Sequence, residues 1–493
     1  MSRWRLPVAA DNRPTFFAHA LALAAAHGPG PWPGGGYPLP DEQSVPFMSG
    51  AVRDGINTHH SRVEDGRAVA AEIADAVRTI IESPPDLQAL QRLHDLAVDI
   101  DVLPVADPLG KQLLGAHRAR VRDVGRWLAE YGTRRDAVAT GIVLIGLTGD
   151  ERDRELLLLM GSLEDLTLYS VVALERTQSD RDMAIFEMAR RVRAWGRIQA
   201  VERLEGTTDP EIKAWLVREG FRNDVMDEYL AYIAATTGDL ADALMTSDAD
   251  DELLDGAGGI LAALSDVSGP ARTIDDYPDG AAVIDRYLTL VRDRPTLARV
   301  VAVLKLGDKG RDVATGLDWL SVVQSALHSP DPDTFTTALW PAEQLGMKVR
   351  DKVNQWLRSN PSKLYLWWYA DAGELAELAE QLLPLADLAT GPQVEYGVGA
   401  EFAADRVLDL VVGREGGRNW PLVRTALANR LTRNRYNAVK ALTDWPRDSL
   451  PADAVPAVRA AVEAEPVDEL KAALADLLRE LSRPVVVTWA RRR

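Results

Sequence analysis

Four fifteen-residue segments decide the fold: DAVATGIVLIGLTGD (136–150), LTLYSVVALERTQSD (166–180), WGRIQAVERLEGTTD (195–209) and VMDEYLAYIAATTGD (225–239). Their last residues, Asp150, Asp180, Asp209 and Asp239, are separated by 30, 29 and 30 positions. Each segment carries apolar or small residues at one register and small or polar turn residues just before its aspartate. Self-similarity at a fixed period of this length is typical of repeat architectures.

The recurring aspartate predicts where the second helix of each repeat begins. An aspartate at a helix N-cap accepts hydrogen bonds from free backbone N–H groups, and its charge suits the positive end of the helix. Pro210 follows Asp209, and proline is preferred at the first helical position. One helix pair cannot bury its apolar face alone, so neighbouring pairs must stack. The sequence therefore predicts an all-α fold, an α-solenoid of stacked antiparallel helix pairs.

A related pattern returns in NRYNAVKALTDWPRDSLPADAVPAVRAAVEAE (434–465). Here 437–439 and Leu442 are expected to pack a first helix, while Pro451 and Pro456 mark the start of the next. Residues 133–245 and 400–481 resemble HEAT-like repeat proteins, in particular the short-period kind of the bilin lyases. The resemblance implies a right-handed α-solenoid that binds macromolecules. Some relatives are enzymes or DNA glycosylases, but no catalytic motif of the family can be placed on this sequence.

These patterns divide the chain into six parts. We expect an irregular N-terminal segment with a Gly/Pro-rich loop (1–63), N-terminal HEAT-like repeats (64–250), an acidic hinge (251–280), a divergent helical middle (281–400), C-terminal HEAT-like repeats (401–482) and a basic tail (483–493). The loop reads GPGPWPGGGYPLP (28–40), and this density of glycine and proline excludes the interior of a helix or strand.

The composition narrows the classes of function. The chain has no cysteine, which excludes disulfide scaffolds, thiolate zinc sites and cysteine nucleophiles and favours a reducing, cytoplasmic location. Its formal net charge of -18 counts against nucleic-acid binding by the chain as a whole, because phosphates are met by Lys and Arg. No segment approaches the roughly 18 apolar residues of a membrane-spanning helix, so we expect no membrane association.

Charge is spread unevenly along the chain. Residues 238–286 hold twelve acidic residues against Arg272 and Arg286, whereas 413–440 hold seven basic residues against Glu415. Both stretches are compatible with solvated surface, but a basic face can also dock an acidic partner or a nucleic-acid backbone. We predict that the second stretch binds a partner, with the candidate binding residues Arg414, Arg418, Arg424, Arg430, Arg433, Asn434 and Arg435. The competing interpretation is structural: one arginine could bond the carbonyl end of the helix that precedes Asn434.

The adjacent residues His59 and His60 stand beside Glu64 and Asp65. Imidazoles and carboxylates are ligands for zinc and other divalent ions. However, adjacent residues on a loop rarely hold one ion together, and the seven histidines show no HxxxH or HExxH spacing. We therefore predict a surface or interdomain loop here and no metal site.

An aromatic run, Tyr365, Trp367, Trp368 and Tyr369, is the other group that could bind a ligand, by stacking on a base. In an α-solenoid, neighbouring aromatic residues more often fill a seam between helices. No Walker loop, Rossmann glycine pattern, GxSxG or paired-carboxylate signature is present, so we expect no cofactor and lean against an enzyme.

The sequence favours a non-enzymatic interaction or scaffold protein that presents a helical surface, most often to another protein. The first alternative is a nucleic-acid-binding or DNA-glycosylase-like protein that uses the basic face at 413–440. The second is an immunity or antitoxin protein whose acidic surface covers a basic toxin.

Overall fold

The computed structural model describes residues 4–7, 14–42, 48–60, 65–245, 249–267, 269, 271–370, 373–393, 400–414 and 419–482. Across these residues the fold is all-α, as predicted: helices make up 71 % of them, and they contain no β-strand. Within the same ranges, no helix combines the length and apolar character needed to cross a bilayer. The chain divides into two compact units, Met1–Val313 and Ala314–Arg493.

The described part of the first unit contains eighteen α-helices, the last of which ends at Ala314. They are α1 (Phe16–His27), α2 (Gly50–His60), α3 (Arg67–Glu82), α4 (Leu87–Leu96), α5 (Leu103–Gln112), α6 (Arg118–Tyr131), α7 (Arg135–Thr148), α8 (Arg154–Gly161), α9 (Thr167–Thr177), α10 (Arg181–Arg191), α11 (Ala194–Glu202), α12 (Pro210–Trp215), α13 (Glu228–Thr237), α14 (Leu240–Met245), α15 (Asp251–Leu264), α16 (Gly280–Val291), α17 (Leu297–Lys305) and α18 (Asp308–Ala314).

The described part of the second unit contains eleven further α-helices. They are α19 (Leu317–Ala326), α20 (Pro332–Gln344), α21 (Arg350–Ser359), α22 (Leu364–Trp367), α23 (Leu375–Leu382), α24 (Leu385–Leu388), α25 (Ala403–Gly413), α26 (Trp420–Leu427), α27 (Thr432–Thr443), α28 (Ala454–Ala464) and α29 (Asp468–Leu481).

In the first unit, every second helix packs against its counterpart in the next pair. Helices α7, α9, α11, α13, α15 and α17 contact one another in that order. The repeated aspartates lie between the two helices of a pair: Asp180, Asp209 and Asp239 directly precede α10, α12 and α14, and Asp150 precedes a 3-10 turn that leads into α8. In the second unit α25, α27 and α29 form one such series, and α24, α26 and α28 form another.

Two of these aspartates show that position and capping are separate properties. The Asp209 carboxylate accepts hydrogen bonds from the backbone N–H groups of Glu211 and Ile212 at 2.9 and 3.1 Å, so it caps α12 as predicted. Asp180 occupies the equivalent position before α10 but makes no side-chain cap hydrogen bond. Its carboxylate pairs with Arg154 of the preceding helix at 2.8 Å.

The described part of the N-terminal segment contains two helices, whereas we predicted an irregular segment for 1–63. Helix α1 packs on α6 and α8, and α2 packs on α9 and α11, so α2 covers part of the series of first helices. A Cβ atom at Gly55 would lie 2.2 Å from the Trp195 ring, and glycine is therefore what allows α2 to approach α11. Helix α2 was missed because its sequence, GAVRDGINTHH, is mostly polar and contains only two large apolar residues, Val52 and Ile56.

The described residues of the predicted acidic hinge, 251–280, include a packed helix. This helix is α15, which buries Leu254, Ile260 and Leu261 and contacts α13 and α17. Three of the acidic residues make contacts within the fold. Asp250 caps α15, and Asp251 and Asp255 on this helix both pair with Arg299. The boundary between the two compact units lies further along, after Val313. The high negative charge of this stretch drew attention away from the apolar residues that α15 buries.

Helices α6 and α7 pack closely through two facing glycines. A Cβ atom at Gly125 would lie 2.8 Å from the Gly141 carbonyl oxygen, and one at Gly141 would lie 2.7 Å from the Gly125 carbonyl oxygen. Both obstacles are backbone atoms, which cannot rotate away. The crossing of these two helices therefore requires a residue without a side chain at each position.

Candidate functional site

Arg435, predicted to bind a partner, is a buried structural residue. Its side chain is 1 % exposed and lies between α27 and the segment after α28, where Nε and Nη2 donate to the Glu465 carboxylate at 2.7 and 2.9 Å. Nη1 donates to the backbone carbonyls of Asn429 and Arg430 at 3.0 and 2.9 Å. The binding role predicted for Arg435 is therefore wrong, and the competing structural interpretation describes what this arginine does.

Asn434 is also buried and cannot contact a partner. Its Nδ2 donates to the Asp405 backbone carbonyl at 3.0 Å and to the Asn429 side-chain oxygen at 2.8 Å. Arg430 pairs with the Asp405 carboxylate at 2.8 Å and stacks over the Phe402 ring at 4.4 Å. These contacts join the turn before α27 to the start of α25. The sequence could not show this because the acid and the arginine are 25 residues apart.

Arg433 and Arg424 remain on the surface. The Arg433 side chain is 82 % exposed and pairs with Asp409 at 3.1 Å, while the mostly exposed Arg424 pairs with Asp453 at 3.2 Å. Surface ion pairs of this kind are weak and exchange readily with solvent. Arg418 lies outside the described residues. Arg430 and Arg435 are paired with acids of the same fold, so fewer arginines of the basic face are available to a partner than the sequence suggests.

Arg414 contacts the aromatic run that the sequence also singles out. Its guanidinium lies 4.6 Å from the centre of the Trp368 ring and donates to the Trp367 backbone carbonyl at 3.3 Å. Such a stacked arginine is held in one place by the ring and still presents donors to solvent.

The aromatic run divides between core and surface. Trp367 is fully buried and its indole N–H donates to the Pro361 carbonyl at 2.8 Å, so it fills the seam between helices as predicted. Trp368 and Tyr365 are 57 % and 43 % exposed, and the Tyr365 hydroxyl lies 2.9 Å from that of Tyr369. We call Tyr365, Trp368 and Arg414 the aromatic–arginine surface.

His59 and His60 end α2 and do not lie on a loop. The His59 ring lies 5.3 Å from both the Trp195 and the Tyr229 rings, and its Nε2 is 2.7 Å from the Glu202 carboxylate. This hydrogen bond is the main reason that the pKa of His59 is raised. Among the described residues no group of three or more potential ligands could hold a metal ion. The histidine pair anchors α2 to the helices beneath it.

A buried polar network at the other end of α2 had no signal in the sequence. Asp54 accepts hydrogen bonds from Arg135 at 2.8 Å and from the Tyr169 hydroxyl at 2.9 Å. Asp165 accepts from the backbone N–H of Ala51 at 2.9 Å and from the Tyr37 hydroxyl at 2.9 Å. Burial raises the pKa of Asp54 despite its arginine partner. The network fixes the N-terminal segment onto α7 and α9, and its partners lie 81 to 128 residues apart.

Comparison with protein-family models, with curated proteins and with solved structures finds no match for this chain.

Proposed function

We propose that the chain is a cytoplasmic, non-enzymatic interaction protein of the HEAT-like repeat type, which binds another protein through the aromatic–arginine surface. The observation that carries the proposal is the exposed Trp368 ring, on which Arg414 stacks, together with the exposed Tyr365 one helical turn before it in the chain. Trp, Tyr and Arg are the residue types most enriched among side chains that dominate binding energy in protein interfaces.

The charges support a protein over a nucleic acid as the partner. Two of the arginines that would meet phosphates are engaged with Asp405 and Glu465, and the chain carries a net charge of -18. The stacked guanidinium of Arg414 suits a partner segment that combines apolar and acidic side chains, because it can pair with a carboxylate while the ring covers apolar surface.

Affinity capture with the tagged full chain tests this function. We expect a protein to be retained by the wild type and lost with Trp368→Ala and with Arg414→Ala. Leu317→Ala is the matched control, since Leu317 is an apolar side chain in the same unit with 86 % exposure. Circular dichroism melts of all variants should coincide, because none of these side chains is buried.

Titration calorimetry with the captured protein then measures the contribution of the ring. Truncating a hot-spot residue costs about 2 kcal/mol or more of binding free energy, so Trp368→Ala should weaken binding at least about thirty-fold. Equal retention by wild type and Trp368→Ala would refute the assignment of this surface. An eluate dominated by nucleic acid would favour the first alternative, and one dominated by a basic toxin the second.

A further inference from the structure

A cleft in the first unit combines an apolar floor with two arginines at its edge. Its volume is about 300 Å³, at the lower end of the range typical of small-molecule sites. Side chains from α5, α7 and α9 form the floor, which includes Val143, Leu168 and Val172. Thr58 of α2 and Arg203, just after α11, close the side. None of these residues belongs to the aromatic–arginine surface, so the inference stands apart from the proposed function.

Each of the two arginines of the cleft, Arg176 and Arg203, pairs with an acid at more than hydrogen-bond distance. Arg176 approaches Asp107 at 3.6 Å and Arg203 approaches Glu175 at 3.7 Å. Both distances exceed those of a hydrogen bond. Of the donors on Arg203, Nη1 is engaged by the Gln199 carbonyl at 2.7 Å. For comparison, the Arg122 guanidinium elsewhere in this unit is hydrogen-bonded to the Asp153 carboxylate at 2.7 Å.

The two guanidinium groups are also close enough to repel each other. Burial is the main reason that the pKa of Arg203 is lowered. The charges of Glu175 and Glu202 oppose this shift, and the positive charge of Arg176 reinforces it. An anion bound between them would offset this repulsion. It would also accept hydrogen bonds from the guanidinium N–H groups, which Asp107 and Glu175 are too far away to accept. The planar fork of a guanidinium matches a carboxylate in particular.

We propose that this cleft binds a small amphipathic monocarboxylate, with its carboxylate on Arg176 and Arg203 and its aliphatic body on the apolar floor. The neighbouring Asp107 and Glu175 select against a dianion such as inorganic phosphate, because like charges at close range are unfavourable. The apolar floor selects against small hydrophilic acids, since it gains free energy only by covering apolar surface.

Calorimetric titration of the full chain with octanoate tests the proposal, with octanol, octylammonium and inorganic phosphate as comparators. We expect saturable binding of octanoate at one site, and binding at least about ten-fold weaker for each comparator, since a charge-assisted hydrogen bond contributes roughly 1.5–3 kcal/mol. Equal affinity for octanol would refute the role of the arginines, and phosphate binding tighter than octanoate would refute the ligand class. Absence of saturable binding would refute the site.

Three variants separate the charge from the cleft itself. Arg203→Met and Arg176→Met should each weaken octanoate binding about ten-fold while retaining the aliphatic part of the side chain. Val172→Phe should weaken octanoate and octanol alike, because it fills the floor and leaves both arginines in place. Arg152→Met is the control, since Arg152 is an exposed arginine paired with an aspartate outside the cleft. Unchanged binding in both arginine variants with intact melts would overturn the proposal.

Discussion

The contribution of Arg435 to stability can be measured separately from any role in binding. Removing one partner of a buried, hydrogen-bonded ion pair costs about 3–5 kcal/mol, because the other charge is left buried and unpaired. We therefore expect Arg435→Ala to destabilise the protein by about this amount in urea unfolding, since Glu465 and two carbonyls lose their donor. Arg433→Glu is the neighbouring control and should change stability by under about 0.5 kcal/mol. Equal effects of the two substitutions would contradict the structure.

Glu164 predicts a pH dependence of stability with a definite sign. Burial, reinforced by Asp165, raises the pKa of Glu164 from 4.5 to about 7, although the backbone N–H groups of Trp195 and Gly196 oppose this. A carboxyl whose pKa is raised on folding favours the folded state in its protonated form. Its stabilising contribution is present below pH 4.5 and is lost as the pH rises to about 7.

The Glu164→Gln variant isolates this contribution. The amide keeps a hydrogen-bond acceptor for the two N–H groups but cannot ionise. Urea unfolding at pH 5 and pH 8 should show that the substitution is more favourable at pH 8, by roughly 2–3 kcal/mol. A difference between variant and wild type that does not change with pH would show that Glu164 ionises normally in the fold.

At the scale of the helix, Asp209 and Asp180 should differ although the sequence places them alike. Asp209→Ala removes a true N-cap of α12 and should cost about 0.5–2 kcal/mol. Asp180→Ala removes only a surface pairing with Arg154, which is worth at most about 1 kcal/mol. Thermal unfolding of the two variants measures the difference. A larger loss for Asp180→Ala would contradict the observed cap geometry.

The crossing of α6 and α7 makes a second prediction at this scale. Gly141→Ala forces a methyl group against the Gly125 carbonyl, and overpacking of this kind costs about 1–3 kcal/mol. Gly110→Ala in α5 is the matched control, because the new methyl would meet only the end of the flexible Leu147 side chain. There the higher helix propensity of alanine should leave stability unchanged or raise it by up to about 1 kcal/mol. A Gly141→Ala variant as stable as Gly110→Ala would show that the two helices can separate without penalty.

For the molecule as a whole, net charge predicts weak binding to nucleic acid. With a net charge of -18 and with Arg435 and Arg430 paired internally, few phosphates can be neutralised. We expect a dissociation constant for a random duplex no tighter than about 10⁻⁵ M at physiological salt, measured by fluorescence anisotropy. Submicromolar binding that Arg424→Glu and Arg433→Glu abolish would instead support the nucleic-acid alternative.

Local patterns in the sequence predicted the helices of this molecule better than its polar contacts. Spacing located the helices that follow Asp150, Asp180, Asp209 and Asp239, because capping and turn chemistry act within a few residues. The aromatic–arginine surface could be predicted only in part. The sequence indicated Arg414 and Trp368 separately, but it could not show their contact, because they are 46 positions apart. The pairing of Arg435 with Glu465 joins residues 30 positions apart, so positive charge at 413–440 was mistaken for a free surface.

The position of α2 has a consequence for how the chain is made. Its docking partners leave the ribosome long after it does, since Asp165 lies 114 residues beyond Ala51 and Tyr229 lies 169 residues beyond His60. At translation rates of roughly 5–20 residues per second, α2 waits about 6–34 s until the residues that it packs against have been synthesised. An apolar segment exposed for that time would invite aggregation. The polar sequence GAVRDGINTHH is less prone to aggregate during this delay. Its polar groups can hydrogen-bond to water until the protein groups that replace water have been synthesised.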